Sequence, residues 1–263
     1  MIIEFFKYQG AGNDFVMLDN RKGVYSNLTT QNIENLCDRR FGIGADGLIL
    51  LENVDGYDFK MIYYNADGRE SSMCGNGGRC IVAFAKRLNV ITAQALFIAI
   101  DGPHKASISE DNMIFLQMSD VNSIRKNDDY SFLDTGSPHH VQIVDNIKDV
   151  DVNNLGSQIR YSDLYGSEGS NVNFVQQDSA NIFSIRTYER GVEAETLACG
   201  TGATAVALAM HNYGMTENTN LTINVEGGTL TVSFERNGDK YNNIFLGGPA
   251  EFVFSGSLEI KEN

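Results

Sequence analysis

Apolar and polar residues alternate in short runs along most of this chain. Such runs lie at Ile2–Tyr8, Leu48–Glu52, Tyr57–Tyr64, Leu96–Ile100, Met113–Met118, Val141–Val144, Val172–Val175, Ile182–Tyr188, Leu221–Val225, Thr229–Phe234 and Glu251–Phe254. Segments of this length, alternating or rich in β-branched and aromatic residues, predict strands. Helical periodicity is confined to three places. Ile33, Leu36, Cys37 and Phe41 share a face and follow Thr29 and Thr30, either of which can cap a helix. Ile81, Val82, Phe84, Ala85 and Leu88 predict a second helix running on from Cys80. Ala205–Met210 is apolar on every side, which predicts a helix buried all round that stops before Gly214. The pattern is that of a sheet-rich α/β chain of the α+β type.

At 263 residues the chain can form one large domain or two of about 120–130 residues, each burying its own core. A net charge of −14 argues against nucleic acid or an anionic membrane as partner. No apolar run approaches the roughly 18 residues a membrane span needs. The first residues, Met1 to Phe6, carry Glu4 and lack the basic start of a signal peptide, so a cytoplasmic location is expected. Four cysteines, Cys37, Cys74, Cys80 and Cys199, are too few for a disulfide framework. In a reducing compartment they are thiols, serving either as buried filler or as chemistry.

An internal repeat separates the two cases. Glu70-Ser71-Ser72-Met73-Cys74-Gly75-Asn76-Gly77 and Glu195-Thr196-Leu197-Ala198-Cys199-Gly200-Thr201-Gly202 share the pattern E-[ST]-x-x-C-G-x-G. Both copies run into an apolar helix, and a Tyr precedes each: Tyr64-Asn65 in one, Tyr188-Glu189 in the other. The copies stand about half the chain apart, as two similar α/β halves in tandem require. We expect halves at 1–118 and 119–254, with the polar stretch Ser119–Asp129 as the junction.

A cysteine at a helix start meets unpaired backbone N–H groups and the positive end of the dipole. Both favour the thiolate, lowering a thiol pKa from its free value of about 8.5. The glycines that follow let a ligand approach the backbone, so the same N–H groups can hold a carboxylate. One such site per half, on either side of one small molecule, suits inversion of a carbon centre, which needs a base on one face and an acid on the other. The developing charge calls for preorganised donors, which helix starts supply. The scheme requires no metal and no organic cofactor. Cys37 and Cys80, on apolar helical faces, read as buried filler. A zinc reading fails because Cys74 and Cys80 are too widely spaced and no His pair completes a site. A reversible Cys74–Cys199 disulfide is physically possible as a side effect of two activated thiols.

The remaining glycine signals add little. Gly42-Ile43-Gly44-Ala45-Asp46-Gly47 fits G-x-G-x-x-G but follows a helix and precedes a strand, the reverse of a dinucleotide loop. It reads as a helix stop and turn. Gly10–Phe15 lies between two strands, and its Asn13 is either a turn residue or a ligand contact.

Taken together, Gly10–Phe15, Asn65–Gly68, Cys74–Cys80, Ser137–His139, Asn171–Phe174, Glu189–Gly191 and Ala198–Gly202 resemble the diaminopimelate epimerase family, in family order over nearly the whole chain. That resemblance implies two pseudo-symmetric domains, each a mixed sheet or barrel around a central helix, with a C-terminal strand at about 255–263 returning to the first. It implies that LL- and meso-diaminopimelate are interconverted without a cofactor, on the route to lysine and peptidoglycan, in a homodimer. Cys74 and Cys199 become the acid–base pair, with His139 and Glu189 placed to tune them. Gly75, Asn76, Gly200 and Thr201 bind the reacting carboxylate. Asn13, Asn65, Asn171, Glu189 and Arg190 bind the substrate, mainly its distal amino-acid end. The sequence departs from the family at Ser137, where Asn is frequent, and at Gly47, where Gln is frequent. The segment between Met118 and Leu133 is short for the family. Proline racemases and hydroxyproline epimerases are similar in fold and cysteine pair, but carry His rather than Asn76 and an Asp-Arg-Ser-Pro run that this chain lacks. Phenazine-type isomerases lack the paired cysteines. A non-catalytic thiol-redox protein of the same fold has no need of two intact Cys-Gly-x-Gly helix starts.

Overall fold

The computed structural model describes residues 1–71 and 73–260; Ser72 of the first octet and the chain beyond 260, part of the expected returning strand, lie outside the described residues. The chain divides into two compact units, Met1–Leu116 with the chain from Pro249 on, and Gln117–Gly248.

The first unit contains β1 (Ile2–Gly10), β2 (Asn13–Asp19), α1 (Thr30–Cys37), β3 (Gly47–Glu52), β4 (Phe59–Asn65), α2 (Gly75–Arg87), β5 (Gln94–Ala99), β6 (Gly102–Ile108) and β7 (Ile114–Gln117). β1 and β2 form an antiparallel hairpin. β3 lies parallel to β2, β4 antiparallel to β3, β5 parallel to β4, and β6 and β7 follow as an antiparallel ribbon. The second unit contains β8 (Arg125–Lys126), β9 (Tyr130–Asp134), β10 (Pro138–Ile143), α3 (Val152–Arg160), β11 (Asn171–Ser179), β12 (Ile182–Glu189), β13 (Ala194–Thr196), α4 (Gly200–Tyr213), β14 (Asn220–Val225), β15 (Gly228–Asn237) and β16 (Lys240–Gly248). Its connections repeat those of the first: β9 and β10 antiparallel, β11 parallel to β10, β12 antiparallel to β11, β14 parallel to β12, then the β15–β16 ribbon. The last strand, β17 (Glu251–Glu259), pairs antiparallel with β1 of the first unit. Sequence reasoning started that return at about 255; it begins earlier because Gln9 already pairs with Glu251.

Register makes the two halves superposable on paper. Phe15 pairs with Gly47 where β2 meets β3, and His139 pairs with Asn171 where β10 meets β11. Tyr64 bridges Glu70, and Tyr188 pairs with Glu195, so each octet opens opposite the same Tyr. By this count Asn13 corresponds to Ser137, Phe15 to His139, Gly47 to Asn171 and Asn76 to Thr201.

Each unit wraps its strands around one helix. α2 touches β1 to β4 and β17, and α4 touches β9 to β12 and β14 to β16. α4 is buried at every position from Gly202 to Met210, which is why its sequence is apolar on all sides. α2 buries Ile81, Val82, Phe84 and Ala85 completely, and each large apolar side chain so buried contributes about 1.5–3 kcal/mol. Cys37 and Cys80 are buried, and burial pushes both thiols up to about 12.

Some sequence expectations need correction. Thr29 caps α1 through a reciprocal pair with Asn32, but Phe41 lies beyond the helix and is 90% exposed. The Asp38 carboxylate accepts from the N–H groups of Arg40 and Phe41 and turns the chain there. The stretch Ser119–Asp129 lies inside the second unit rather than at a junction: Val121 bridges Tyr241, and Arg125–Lys126 pair with β9. α3 is unmarked in the sequence pattern because it buries only Val152 and Gly156.

Gly47 begins a strand, and a Cβ there would stand 2.5 Å from the Tyr64 carbonyl oxygen and 2.6 Å from the Tyr63 ring. A side chain at this position therefore requires backbone to move. Gly47→Ala should lower stability by about 1–3 kcal/mol, read as a lower urea midpoint at unchanged slope; an unchanged midpoint contradicts the packing. β10 supplies a second test. Burial, with the Arg190 charge adding to it, pushes His139 down to about 3, and burial pushes His140 down to about 4 against the hydrogen bond its ring donates to Gln142 Oε1. Both stay neutral in the folded chain while their unfolded counterparts take a proton near 6.5. Stability is thus full above that value and falls as pH drops toward 4, by about 1 kcal/mol per pH unit for each histidine. Urea midpoints measured from pH 7 to pH 4.5 check this, and a flat profile contradicts it.

Candidate active site

In the first unit, α2 begins at Cys74, whose backbone is extended (φ −86°, ψ 131°) and whose side chain makes no capping hydrogen bond. The helix sinks deep into the sheet because Gly77 and Gly78 in its first turn carry no side chain. A Cβ at Gly77 would lie 3.0 Å from Ile49 Cδ1, and one at Gly78 would lie 2.8 Å from Leu116 Cδ2. Cys74 is thereby left half-buried at the helix start.

The hairpin β1–β2 brings Asn13 to the same place. Its turn places Ala11 at φ 52° and Gly12 at φ 83°, left-handed values that suit glycine best. Asn13 Nδ2 donates to Asp46 Oδ2 at 2.5 Å. Asn13 Oδ1 accepts from Asn76 Nδ2 at 3.2 Å and faces the Cys74 Sγ donor at 3.6 Å. Asn76, 1% exposed, in turn accepts from Arg79 Nη2 at 2.9 Å. Arg79 is fully buried and directs Nε toward the Pro249 carbonyl, while its Nη1 meets no hydrogen-bond partner among the described residues. Burial pushes its pKa down, with Cys80 and Cys74 opposing. Asp46 is shared with Arg39, which also binds Asp14 at 2.8 Å; Lys7 binds Asp14 too. Burial would raise Asp14, but hydrogen bonds from Arg39 and Lys7 outweigh it and hold it at about 2. Asn65 ends β4 and is exposed, in the turn where the Gly68 N–H donates to its carbonyl. Nothing in these contacts ties its side chain to Cys74.

In the second unit α4 begins at Cys199, also extended (φ −119°, ψ 111°) and also without a capping bond. Gly202 is required here: a Cβ would meet Asn173 Oδ1 at 2.5 Å and Cys199 Sγ at 3.3 Å. Cys199 Sγ lies 3.4 Å from Thr201 Oγ1, and Ser137 Oγ donates to Thr201 Oγ1 at 3.3 Å. His139, completely buried, reaches Ser137 Oγ through Nε2 at 3.0 Å. Asn173 Nδ2 reaches His139 Nδ1 at 3.1 Å and donates to the His140 carbonyl at 2.9 Å, while Asn173 Oδ1 accepts from Thr187.

Asn171 is 4% exposed, and its amide is taken up by the protein. Nδ2 donates to Ser137 Oγ and the Pro138 carbonyl, and Oδ1 accepts from the Arg190 N–H at 2.8 Å. It fixes the ends of β10 and β12 relative to each other. Glu189 accepts from Thr196 Oγ1 at 3.0 Å, and Arg190 Nη1 donates to the Glu168 carbonyl. Both stay half-buried, at the end of β12.

The structure thus gathers Asn13, Cys74, Gly75 and Asn76 in one unit, and His139, Asn171, Glu189, Arg190, Cys199, Gly200 and Thr201 in the other. Arg79, Asp46, Ser137 and Asn173 join them without having been assigned a role from sequence. A signal existed for one: Asn171 and Asn173 are two polar residues two apart in an apolar strand, hence on one face. Among the described residues, no group of three or more His, Cys, Asp and Glu is arranged to hold a metal ion, and no helix is long and apolar enough to cross a membrane.

Comparison with known proteins agrees with this geometry. The family model for diaminopimelate epimerase matches residues 5–124 and 131–253. The diaminopimelate epimerase of Flavobacterium psychrophilum is 60% identical over 97% of this chain and 100% of its own length. That of Chlorobaculum tepidum is 41% identical over 95% of this chain and 99% of its own. Among solved structures, a phenazine biosynthesis protein of Bacillus anthracis shares the fold with a TM-score of 0.74 at 13% identity, covering 99% of this chain and 100% of that one. A hydroxyproline epimerase of Agrobacterium vitis does so at 0.68 and 12%, covering 98% and 92%. The family match over nearly the full length, with both Cys-Gly-x-Gly helix starts in place, shows that this chain belongs to the diaminopimelate epimerase family.

Proposed function

We propose that this protein interconverts LL- and meso-diaminopimelate by a two-base mechanism, Cys74 and Cys199 exchanging the α-proton, in the synthesis of lysine and peptidoglycan precursors. The observation that carries the reading is the pair of uncapped helix-start cysteines, one in each unit, each followed by Gly-x-Gly. A helix start satisfies an anion through its first-turn N–H groups. Gly75–Asn76 and Gly200–Thr201 supply those groups to the carboxylate next to the reacting carbon. As the α-proton leaves, charge moves onto that carboxylate, and the same N–H groups stabilise it. Inversion then needs only a proton from the other face, which a second thiol delivers; for the reverse reaction the thiols exchange roles.

The substrate's second amino-acid head distinguishes it from proline. Arg190 presents a guanidinium for the far carboxylate and Glu189 a carboxylate for the far ammonium, with Asn13 and Asn65 on the first unit. Asn171 contributes by holding Ser137 and the Arg190 backbone. His139 acts on Cys199 as a neutral group, given its burial. The family resemblance supports a homodimer, and the four free thiols fit a reducing cytoplasm.

The test is epimerisation by the purified protein with no added cofactor. LL-diaminopimelate should be converted to the meso isomer and proline left unracemised. Cys74→Ala and Cys199→Ala should each lower turnover by roughly two to four orders of magnitude. Full activity in either variant removes the two-base mechanism, and racemisation of proline in place of diaminopimelate removes the substrate assignment.

A further inference from the structure

Gly47 leaves a gap in the duplicated fold. Its counterpart by register is Asn171, whose amide joins two strand ends. Asn171 Nδ2 donates to Ser137 Oγ at 3.2 Å and to the Pro138 carbonyl at 3.0 Å. Its Oδ1 accepts from the Arg190 N–H at 2.8 Å. These bonds set the start of β10 against the end of β12, where Glu189 and Arg190 lie. Gly47 has no side chain to make them, and a Cβ there would stand 2.5 Å from the Tyr64 carbonyl oxygen.

In the first unit the same two links run instead to the preceding residue, Asp46. Leu48 pairs with Tyr64 as Val172 pairs with Tyr188, so Asn65 corresponds to Glu189 and Ala66 to Arg190. The Ala66 N–H, counterpart of the Arg190 N–H, donates to the Asp46 carbonyl at 3.1 Å. Asn13, counterpart of Ser137, donates through Nδ2 to Asp46 Oδ2 at 2.5 Å. Asp46 is itself tethered. Its N–H donates to the Asp14 carbonyl at 3.0 Å, and its Oδ1 accepts from Arg39 Nη2 at 2.7 Å. Arg39 in turn binds the Asp14 carboxylate. Asp46 therefore stands where the start of β2, the start of β3 and the end of β4 meet, between Asn13 and Asn65.

The chemistry of the link differs between the units for a reason. Ser137 offers a hydroxyl, whose proton rotates to suit its partners, whereas Asn13 offers an amide with two unlike ends. A carboxylate only accepts, so it draws the amide nitrogen and turns the oxygen away. We infer that Asp46 is a positioning residue for substrate binding: its carboxylate sets the Asn13 amide and its carbonyl holds the Asn65 turn, presenting both asparagines to the far amino-acid head. This rests on the epimerase reading in taking Asn13 and Asn65 as contacts to that head. Asp46 acts through them and takes no part in proton transfer. Its loss should weaken substrate and transition state alike, which raises KM and spares kcat.

Asp46→Asn is the sharpest variant because it keeps the size of the side chain. Arg39 still requires an oxygen, which leaves the new Nδ2 facing Asn13 Nδ2, donor against donor. With LL-diaminopimelate, KM should rise roughly tenfold while kcat stays within about threefold, since a charge-assisted hydrogen bond is lost. Asp46→Ala should act in the same way. In an Asn13→Ala background, Asp46→Ala should move KM by less than about twofold, because the carboxylate works through that amide. Arg39→Met loosens Asp46 without touching Asn13; it should raise KM less, and serves if the Asp46 variants do not fold. A merely structural Asp46 would lower the urea midpoint and leave the KM of the folded enzyme unmoved. That result, or a loss of kcat at unchanged KM, overturns the inference while the function stands. A wild-type protein that leaves diaminopimelate unchanged overturns the function, and this inference with it.

Discussion

Everything in this structure depends on helix starts left open by burial on the remaining sides. A helix surrounded by strands cannot carry large residues where it meets the sheet, so α2 and α4 enter through glycine: Gly77 and Gly78 in one, Gly202 in the other. That close approach fixes the first turn rigidly, and with it the cysteine just before it. Neither cysteine caps its helix. The usual occupant of that position, Ser, Thr, Asp or Asn, would satisfy a first-turn N–H from its own side chain, worth about 1 kcal/mol. A cysteine forgoes that bond, and in the proposed reaction the first-turn N–H groups serve the substrate carboxylate instead.

Duplication supplies two such starts, and divergence makes them unequal. Phe15 and His139 hold the same place in the register, as do Gly47 and Asn171. On the first unit these positions are apolar or empty, and the polar contacts come from a charged network of Lys7, Asp14, Arg39 and Asp46 at the partly exposed edge. On the second unit they are polar and buried: His139, Asn171 and Asn173 exchange hydrogen bonds with backbone carbonyls and hydroxyls. A buried network of neutral groups has fixed directions because each proton has one destination. The neutrality of His139 is therefore a working property, since a second proton on it would collide with Asn173 Nδ2.

The repeat and both cysteines were legible in the sequence because the information is local. Cys-Gly-x-Gly before an apolar helix needs no tertiary context, and half-chain spacing points to two domains. Strands that alternate were equally plain. Those without alternation were not: β6 carries Pro103, His104 and Lys105 within seven residues, and β16 opens on Lys240-Tyr241-Asn242-Asn243. α3 hides its packing in one glycine, Gly156, set against the Tyr188 ring. Within the site, residues of a shared motif were found and residues joined by folding were not. Arg79 lies in the first motif but looks like an exposed helical arginine until the strands close over it. Asn171, a substrate contact by resemblance, also has an amide bonded to Ser137 Oγ, the Pro138 carbonyl and the Arg190 N–H, links that only folding reveals.

The central claim is that one thiol removes the α-proton and a different thiol supplies the new one. Reaction in deuterium oxide, sampled early from each isomer in turn, tests it most directly. Two monoprotic bases place deuterium in the product isomer while the recovered substrate still carries its original hydrogen. Deuterium appearing in recovered substrate as fast as in product would mean that a single exchangeable base serves both faces, and would contradict the two-thiol mechanism.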